Sequence, residues 1–166
     1  TVVFFGDGAT ETGVFFESLN IAALKQLPVV FVCEDNDFSV YSPKNVRIPE
    51  SRNWKKFIEG IGVEYAFVDG QLGDEVVKCT LDVRARAIQG QPQFIHAKTY
   101  RYREHCGPNY DDNLGYRDTK TVKKFLERDP LDLMSKKLGL DWNELQSRRK
   151  KVEDKIIKIL EDVRSE

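Results

Sequence analysis

Apolar runs alternate with helical periodicity along the first third of the chain. The run Val2–Phe5 is continuous, a pattern typical of a strand buried on both faces of a parallel sheet. From Thr10 to Gln26 the apolar positions recur at helical spacing, and the second apolar run, "PVVFVC", follows directly. A strand, a helix and a strand in this order predict a right-handed βαβ unit with parallel strands.

The same alternation continues to about residue 99. "VEYAFVDG" predicts a third strand that closes in a turn at Asp69 and Gly70. Asp74 is the expected cap of a helix that reaches Gln89, and "PQFIHAKTY" predicts a fourth strand. The pattern predicts an α/β fold with a mostly parallel sheet flanked by helices.

Periodicity stops in the segment 99–117, which is long for a loop inside a compact domain and is therefore predicted to be functional. We interpret residues 1–117 as one α/β domain that ends in this loop. Residues 118–166 are predicted to form a C-terminal helical extension, with a break at Asp129 and Pro130. Thr1 lies inside a predicted strand, so we expect the N-terminal part of the fold to be missing.

The final helix is predicted to begin at "DWNE", where Asp141 and Glu144 have the spacing of a capping box. An apolar stripe then follows at helical spacing, and we expect it to pack on a neighbour. Its members are Leu145, Val152, Ile156, Leu160 and Val163.

Composition narrows the classes of function. The chain has 166 residues, of which 40% are hydrophobic and 32% charged, with a formal net charge of −1. No overall field would attract nucleic acid or an anionic membrane, and no apolar run is long enough to span a bilayer. The three cysteines have irregular spacing, which indicates reduced thiols in a cytosolic-type protein. We expect a cytoplasmic location of the bacterial type. Any targeting signal upstream of Thr1 lies outside this sequence.

Candidate chemistry lies where the first two predicted strands end. Gly6-Asp7-Gly8 follows the first strand, and Glu34-Asp35-Asn36 ends the second. Because ligands of open α/β sheets bind beyond the carboxyl ends of the strands, Asp7 and Asn36 are expected to meet. Their hard oxygen atoms suit Mg²⁺ or Ca²⁺, and the flanking glycines would let a phosphate approach the backbone. The pattern predicts a site for a magnesium-bound diphosphate.

Two other interpretations of this stretch stay open. Aspartate and glycine are ordinary turn residues, so Gly6-Asp7-Gly8 alone is compatible with a simple turn. Asp7 at a strand end could also be the nucleophile of a phosphatase or phosphotransferase, although Ala9 stands where a second acidic residue would be expected. "GDGATETG" matches neither the dinucleotide fingerprint nor the P-loop.

The segment "TYRYREHCGPNY" brings cationic and aromatic side chains together. Arg101 and Arg103 could bind phosphate oxygens, and His105 could transfer protons near neutral pH. The alternative is a solvated basic loop with an incidental histidine. RNA binding is not favoured, because the acidic "YDDN" lies beside this segment.

Taken together, these motifs resemble a known family over essentially the whole chain. Gly6-Asp7-Gly8 followed by "EDNDFSVYSP" resembles a thiamine-diphosphate-binding motif. "TYRYREH", then "YR" and "RDP", is similar to the alpha subunit of the decarboxylating dehydrogenase component of 2-oxoacid dehydrogenase complexes. That family acts on pyruvate, branched-chain 2-oxoacids or acetoin. The resemblance implies the thiamine-diphosphate-binding fold and, as cofactors, thiamine diphosphate and Mg²⁺.

The resemblance also implies roles for individual residues. The side chains of Asp7 and Asn36 and the backbone carbonyl of Phe38 would be the metal ligands. Gly8 and Ala9 would contact the diphosphate through their backbone. Arg101 and His105 would belong to the active-site loop, with His105 as the catalytic residue that supplies a proton or hydrogen bond during transfer to the lipoyl group.

Four positions depart from the family pattern. Phe38 stands where the family usually has tyrosine, and Glu104 stands where a small residue or histidine is typical. Asp35 replaces the first residue of an Asn-Asn pair and is expected to add negative charge beside the metal. Cys106 stands where some members carry a serine that is phosphorylated, so no such regulation is expected.

The resemblance implies partners as well. These are a beta subunit in an α2β2 heterotetramer, a lipoyl-bearing acyltransferase and a small 2-oxoacid or acetoin. The beta subunit would supply the glutamate that activates the thiamine ring, so this chain alone is not expected to turn over substrate. Two alternatives remain: a transketolase-like thiamine enzyme, and a non-catalytic assembly or regulatory copy of the fold.

Overall fold

A computed structural model describes residues 1–165 and contains a sheet of four parallel strands with helices on both faces. The strands of this sheet are β1 (Val2–Gly6), β2 (Val30–Asp35), β5 (Glu64–Asp69) and β6 (Gln93–Lys98), in the order β1-β2-β6-β5. A small antiparallel ribbon pairs β3 (Phe38–Ser39) with β4 (Ser42–Pro43). The helices are α1 (Gly13–Leu24), α2 (Trp54–Ile61), α3 (Gly73–Ile88), α4 (Thr119–Leu126), α5 (Pro130–Lys137) and α6 (Trp142–Arg164). The predicted α/β class with a mostly parallel sheet is confirmed.

Two hydrophobic cores lie on opposite faces of the sheet. On one face, α1 and α2 cover β2 and β6, with Leu19, Ile58 and Phe94 fully buried. On the other face, α3 buries Val83 against β2, β5 and β6. Successive side chains of a strand point to opposite faces, so Phe31 and Cys33 face α1 while Val30 faces α3.

The prediction that Val2–Phe5 is buried on both faces is wrong for this structure. β1 pairs only with β2 and forms an edge of the sheet. Val2, Val3 and Phe4 are consequently exposed, although the apolar run correctly predicted a strand. Burial depends on the neighbours of a strand, which its own sequence does not specify.

Helix boundaries differ from the predictions at two places. The first helix begins at Gly13 rather than Thr10, because Asp7–Glu11 forms a separate 3-10 turn. Asp74 lies in the first turn of α3 and is not its cap, a position that Leu72 occupies. Helix α2 was not predicted, although Asn53 caps its start and Gly62, with φ of 96°, ends it.

The C-terminal helices agree with the predicted signals. Asp118 caps α4, Asp129 caps α5 directly before Pro130, and the Asp141–Glu144 capping box starts α6. Of the predicted apolar stripe, Leu145 is buried, whereas Val152, Ile156, Leu160 and Val163 are exposed. The chain divides into two compact units after Arg128, so α4 belongs with the sheet rather than with the extension predicted from residue 118.

Two leucines of α1 offer a matched test of the first core. Leu19 is fully buried, whereas Leu24 in the same helix is 73% exposed. We expect Leu19→Ala to lower the free energy of unfolding by about 2–5 kcal/mol, because it removes buried methylene groups and leaves a cavity. Leu24→Ala should change it by less than about 0.5 kcal/mol. Urea denaturation measures both, and equal losses would contradict this core.

Candidate functional site

The site lies at the carboxyl ends of β1 and β2. These strands are parallel neighbours in the register Gly6–Glu34, so the segments that follow them leave the same edge of the sheet. The 3-10 turn Asp7–Glu11 continues from β1, and the ribbon β3–β4 continues from β2. Gly8 and Ser39 are in close contact, which brings the two segments together as the sequence predicted.

Asp7 is buried, and its two carboxylate oxygens differ in their partners. Oδ2 accepts a hydrogen bond from Nη2 of Arg47 at 2.5 Å, whereas Oδ1 is buried without a hydrogen-bond partner among the described residues. Burying an oxygen of a carboxylate without a partner is costly, so this atom is suited to a cation. The geometry therefore fits the predicted role of Asp7 as a metal ligand.

Arg47 extends over the turn that Asp7 begins. Its guanidinium also pairs with Glu11, and its Nε donates to the carbonyl of Ser42 at 3.2 Å. Burial alone would lower the pKa of Arg47, but the hydrogen bonds and charges of Asp7 and Glu11 raise it above its ordinary value. Arg47 was missed in the sequence, because only the ribbon β3–β4 shows that the chain returns to this edge.

Gly8 and Ala9 form the start of the turn in which backbone contacts to a diphosphate are predicted. A Cβ atom on Gly8 would lie 2.7 Å from Oγ and 3.0 Å from Cβ of Ser39. Glycine is therefore required at position 8 by the close approach of β3. The carbonyl of Ala9 accepts hydrogen bonds from Thr12, which fixes the end of the turn.

Asn36 and Phe38 flank a residue in the left-handed conformation, Asp37, whose φ is 67°. The side-chain oxygen of Asn36 accepts the N–H of Phe38 at 3.0 Å. A carbonyl oxygen has two lone pairs, so this atom keeps one for a metal. The aromatic ring of Phe38 packs edge-on against Tyr116, with 5.2 Å between the ring centroids.

The expectation that Asp35 adds charge beside the metal is corrected by its partners. Its carboxylate is buried and contacts Nε2 of His96 at 2.7 Å and Nζ of Lys44 at 2.5 Å, with Lys98 nearby at 3.6 Å. Burial alone would raise its pKa, but these hydrogen bonds and the charge of Lys98 hold the pKa of Asp35 well below its usual range. The negative charge is therefore neutralised locally.

His96 lies on β6 and is hydrogen-bonded on both ring nitrogens, which agrees with its interpretation as a satisfied sheet histidine. Its Nδ1 lies 2.9 Å from the hydroxyl of Tyr65. Burial and the charge of Asp35 raise the pKa of Tyr65 to about 12, so the hydroxyl keeps its proton. Lys44, Lys98 and Tyr65 were missed in the sequence, because only the strand order reveals that they surround Asp35.

Arg101 connects the loop 99–117 to the turn after β3. Its Nη2 donates to the carbonyl of Val40 at 3.0 Å and to the hydroxyl of Tyr116 at 2.8 Å. Tyr116 in turn donates to Asp111 at 2.6 Å. Nη1 of Arg101 is buried without a hydrogen-bond partner in the described chain, so it could bind an anion.

His105 lies apart from these contacts, at the exposed tip of the loop. No hydrogen bond or ion pair of His105 occurs within residues 1–165. Cys106 beside it is also exposed, and all three cysteines are free thiols. The structure thus brings together the segments of Asp7, Asn36, Phe38 and Arg101, while His105 remains in solvent.

No cluster of three or more His, Cys, Asp or Glu side chains that could hold a metal lies within residues 1–165. Within the same residues, no helix has the length and apolar character needed to cross a membrane.

A profile described as dehydrogenase E1 component matches residues 1–166. The chain belongs to this family. The E1 chain is 32% identical over 163 residues to the pyruvate dehydrogenase E1 component subunit alpha-3, chloroplastic, of Arabidopsis thaliana, covering 98% of this chain and 37% of the relative.

A bacterial relative gives the same result. The pyruvate dehydrogenase E1 component subunit alpha of Staphylococcus epidermidis is 32% identical over 147 residues, which cover 86% of this E1 chain and 39% of the relative. The chain thus spans about two fifths of the length of these curated relatives. Among solved structures, transketolase from Leishmania mexicana matches with a TM-score of 0.49 and 22% identity, over 60% of this chain and 15% of that chain.

The contact between Gly8 and Ser39 can be tested by substitution and rescue. We expect Gly8→Ala to lower the free energy of unfolding by about 1–3 kcal/mol, because the new methyl group overlaps the Ser39 side chain. Ser39→Gly in the same chain should recover most of this loss. Gly13→Ala is the control, since a Cβ there meets open space. Urea denaturation that shows no recovery in the double variant would refute the close approach.

Proposed function

We propose that this E1 chain is the part of an alpha subunit that binds the magnesium diphosphate of thiamine diphosphate. The observation that carries the proposal is the buried, unpartnered Oδ1 of Asp7 at the edge of the sheet, beside the glycine turn. A buried carboxylate oxygen without a partner is stabilised by a cation. Mg²⁺ in proteins completes its octahedral coordination with phosphate and water oxygens. Membership in the dehydrogenase E1 component family supports this ligand.

Each residue of the site has a proposed role. Asp7 and Asn36 bind the metal through their side chains, and Phe38 binds it through its carbonyl oxygen. Gly8 and Ala9 contact the diphosphate through the backbone. When bound, the cofactor supplies the carbanion chemistry that cleaves the bond beside the substrate carbonyl. Arg101 offers its free Nη1 to an anionic group, and His105 is the proposed catalytic residue.

The proposed reaction is oxidative decarboxylation or cleavage of a small 2-oxoacid or acetoin, with transfer of the acyl group to a lipoyl group. The similarity of this chain to pyruvate dehydrogenase alpha subunits supports pyruvate as the first substrate to test. The proposed partners are a beta subunit, in an α2β2 heterotetramer, and a lipoyl-bearing acyltransferase. We expect the chain alone to be inactive and its location to be cytoplasmic.

Calorimetric titration of thiamine diphosphate tests the role of Asp7. In the alpha subunit extended as in its longer relatives and assembled with a beta subunit, binding should be saturable and should require Mg²⁺. Asp7→Ala should weaken it at least about tenfold, because a direct metal ligand is lost. The control Asp82→Ala removes an exposed carboxylate of α3 and should have no effect.

The titration also separates the alternatives. Binding that needs neither Mg²⁺ nor Asp7 would refute the metal site. Complete absence of binding in the assembly would favour a non-catalytic copy of the fold. Titration of the 166-residue chain alone then measures how much of the cofactor site it contains.

His105→Ala tests the catalytic assignment. We expect acyl transfer to lipoyl groups to fall about 100-fold, since positioned acid–base groups contribute about 10²–10⁴-fold, while the affinity for cofactor changes little. Cys106→Ser is the neighbouring control, because Cys106 is equally exposed and has no proposed role. Rapid-quench measurement of the transfer step in the assembled complex gives both values. An unchanged transfer rate in the His105 variant would exclude the assignment.

A further inference from the structure

The turn that follows β2 is held by two consecutive side-chain contacts. Oδ1 of Asp35 accepts the N–H of Asp37 at 3.0 Å, and the side-chain oxygen of Asn36 accepts the N–H of Phe38 at the same distance. Asp37 adopts a left-handed conformation, with φ of 67°. The N–H of Lys44, the residue after β4, donates to the carbonyl of Asp37 at 2.7 Å and joins the turn to the end of the ribbon.

The alternation of side chains along the sheet explains what surrounds Asp35. Asp35 lies on the face of β2 that also carries Cys33, and its register partner on β6 is Lys98. His96 lies two residues before Lys98 and therefore on the same face, diagonal to Asp35. Tyr65 on β5 is diagonal to His96 in the same way, since Phe67 is the register partner of His96.

These positions form a hydrogen-bonded chain that ends at the turn. The Asp35 carboxylate only accepts, so Nε2 of His96 carries the ring proton and donates it at 2.7 Å. Nδ1 of His96 then accepts from the hydroxyl of Tyr65 at 2.9 Å. Oδ2 of Asp35 contacts His96 and Lys44, which leaves Oδ1 for the N–H of Asp37.

Two lysines balance the charge of Asp35 and Asp37 together. Lys44 pairs with Asp35 at 2.5 Å and with Asp37 at 2.9 Å, and Lys98 pairs with the same two carboxylates. The two carboxylates differ in burial, because the Asp35 side chain is 1% exposed and the Asp37 side chain 43%. Only Asp35 also contacts His96 and the backbone of the turn.

We propose that Asp35, held by His96 and the two lysines, is a positioning residue that orients Asn36 and the carbonyl of Phe38 for binding of the divalent cation. This inference rests on the proposed function of the site. Asparagine at position 35 would not replace the carboxylate, because its amide nitrogen would face a donor in either orientation: the Lys44 ammonium in place of Oδ2, or the N–H of Asp37 in place of Oδ1. Groups that hold metal-binding residues in place typically contribute about 10–100-fold to metal affinity.

The experiment compares four variants in the assembled enzyme. Asp35→Asn removes the buried carboxylate, and His96→Phe keeps the aromatic packing of position 96 but removes both of its hydrogen bonds. Asp37→Asn is the matched control, because it removes a carboxylate from the same two lysines while asparagine tolerates a left-handed conformation. Leu19→Ala controls for a loss of stability alone. Affinity for Mn²⁺ in the presence of thiamine diphosphate is measured by electron paramagnetic resonance.

Hydrogen exchange of the amides of Asp37 and Phe38, without metal, provides a readout that is independent of activity. We expect Asp35→Asn and His96→Phe to weaken Mn²⁺ binding about tenfold and to accelerate exchange at both amides. Asp37→Asn should weaken binding less than about twofold. Leu19→Ala should lower the melting temperature without changing Mn²⁺ affinity.

The possible outcomes separate this inference from the function on which it rests. If the unsubstituted enzyme binds no Mn²⁺ with the cofactor, the proposed function fails and the inference fails with it. If it binds Mn²⁺ and Asp35→Asn binds equally well, the positioning role alone is refuted. If Asp37→Asn and Asp35→Asn weaken binding equally, net charge rather than orientation is responsible, and the proposal is wrong.

Discussion

Two carboxylates, Asp7 and Asp35, are buried at the same edge of one sheet, and each must be balanced by positive charge. Asp35 obtains it from the protein, through Lys44, Lys98 and a hydrogen bond from His96. Asp7 is balanced at only one of its two carboxylate oxygens, because Arg47 binds Oδ2 while Oδ1 has no hydrogen-bond partner among the described residues. A buried carboxylate oxygen without a partner is unfavourable for folding, and this difference between the two carboxylates supports the proposed role of Asp7 as a metal ligand.

The cations that pair with both carboxylates follow the ribbon β3–β4 in the chain. The ribbon reverses the chain after Phe38, so that Lys44 reaches Asp35 and Arg47 reaches Asp7. The ribbon thereby connects the segments that follow β1 and β2. Arg101 donates to Val40 in the same reversal, which ties the loop 99–117 to this edge as well. The segment Phe38–Pro43 thus contacts the turn at Gly8 and the loop residue Arg101, but not the loop tip that carries His105.

The sequence predicted the parts of this arrangement that depend on local pattern. Apolar runs located β2, β5 and β6, and the capping-box spacing of Asp141 and Glu144 located the start of the last helix. The rule that ligands bind at the carboxyl ends of parallel strands predicted that Asp7 and Asn36 lie at one edge of the sheet. Such rules work because strand periodicity and capping involve residues close together in the chain.

The remaining features depend on contacts between distant residues. The exposure of β1 follows from its place at the edge of the sheet, which no residue of β1 encodes. Helix α2 was missed because its eight residues contain only a short apolar pattern, although Asn53 and Gly62 marked its ends.

Asp35 shows most clearly what the sequence could not provide. From the sequence alone, Asp35 was expected to add a negative charge beside the metal. Because side chains alternate along β2, Asp35 lies on the same face of the sheet as Cys33. On that face the neighbouring strand β6 carries His96 and Lys98. A substitution that looks unfavourable at one position is compensated by residues 9, 61 and 63 positions further along the chain, namely Lys44, His96 and Lys98. The charge departs from the family pattern, yet the two lysines balance it together with Asp37, and its second oxygen accepts the N–H of Asp37 in the turn that carries Asn36 and Phe38.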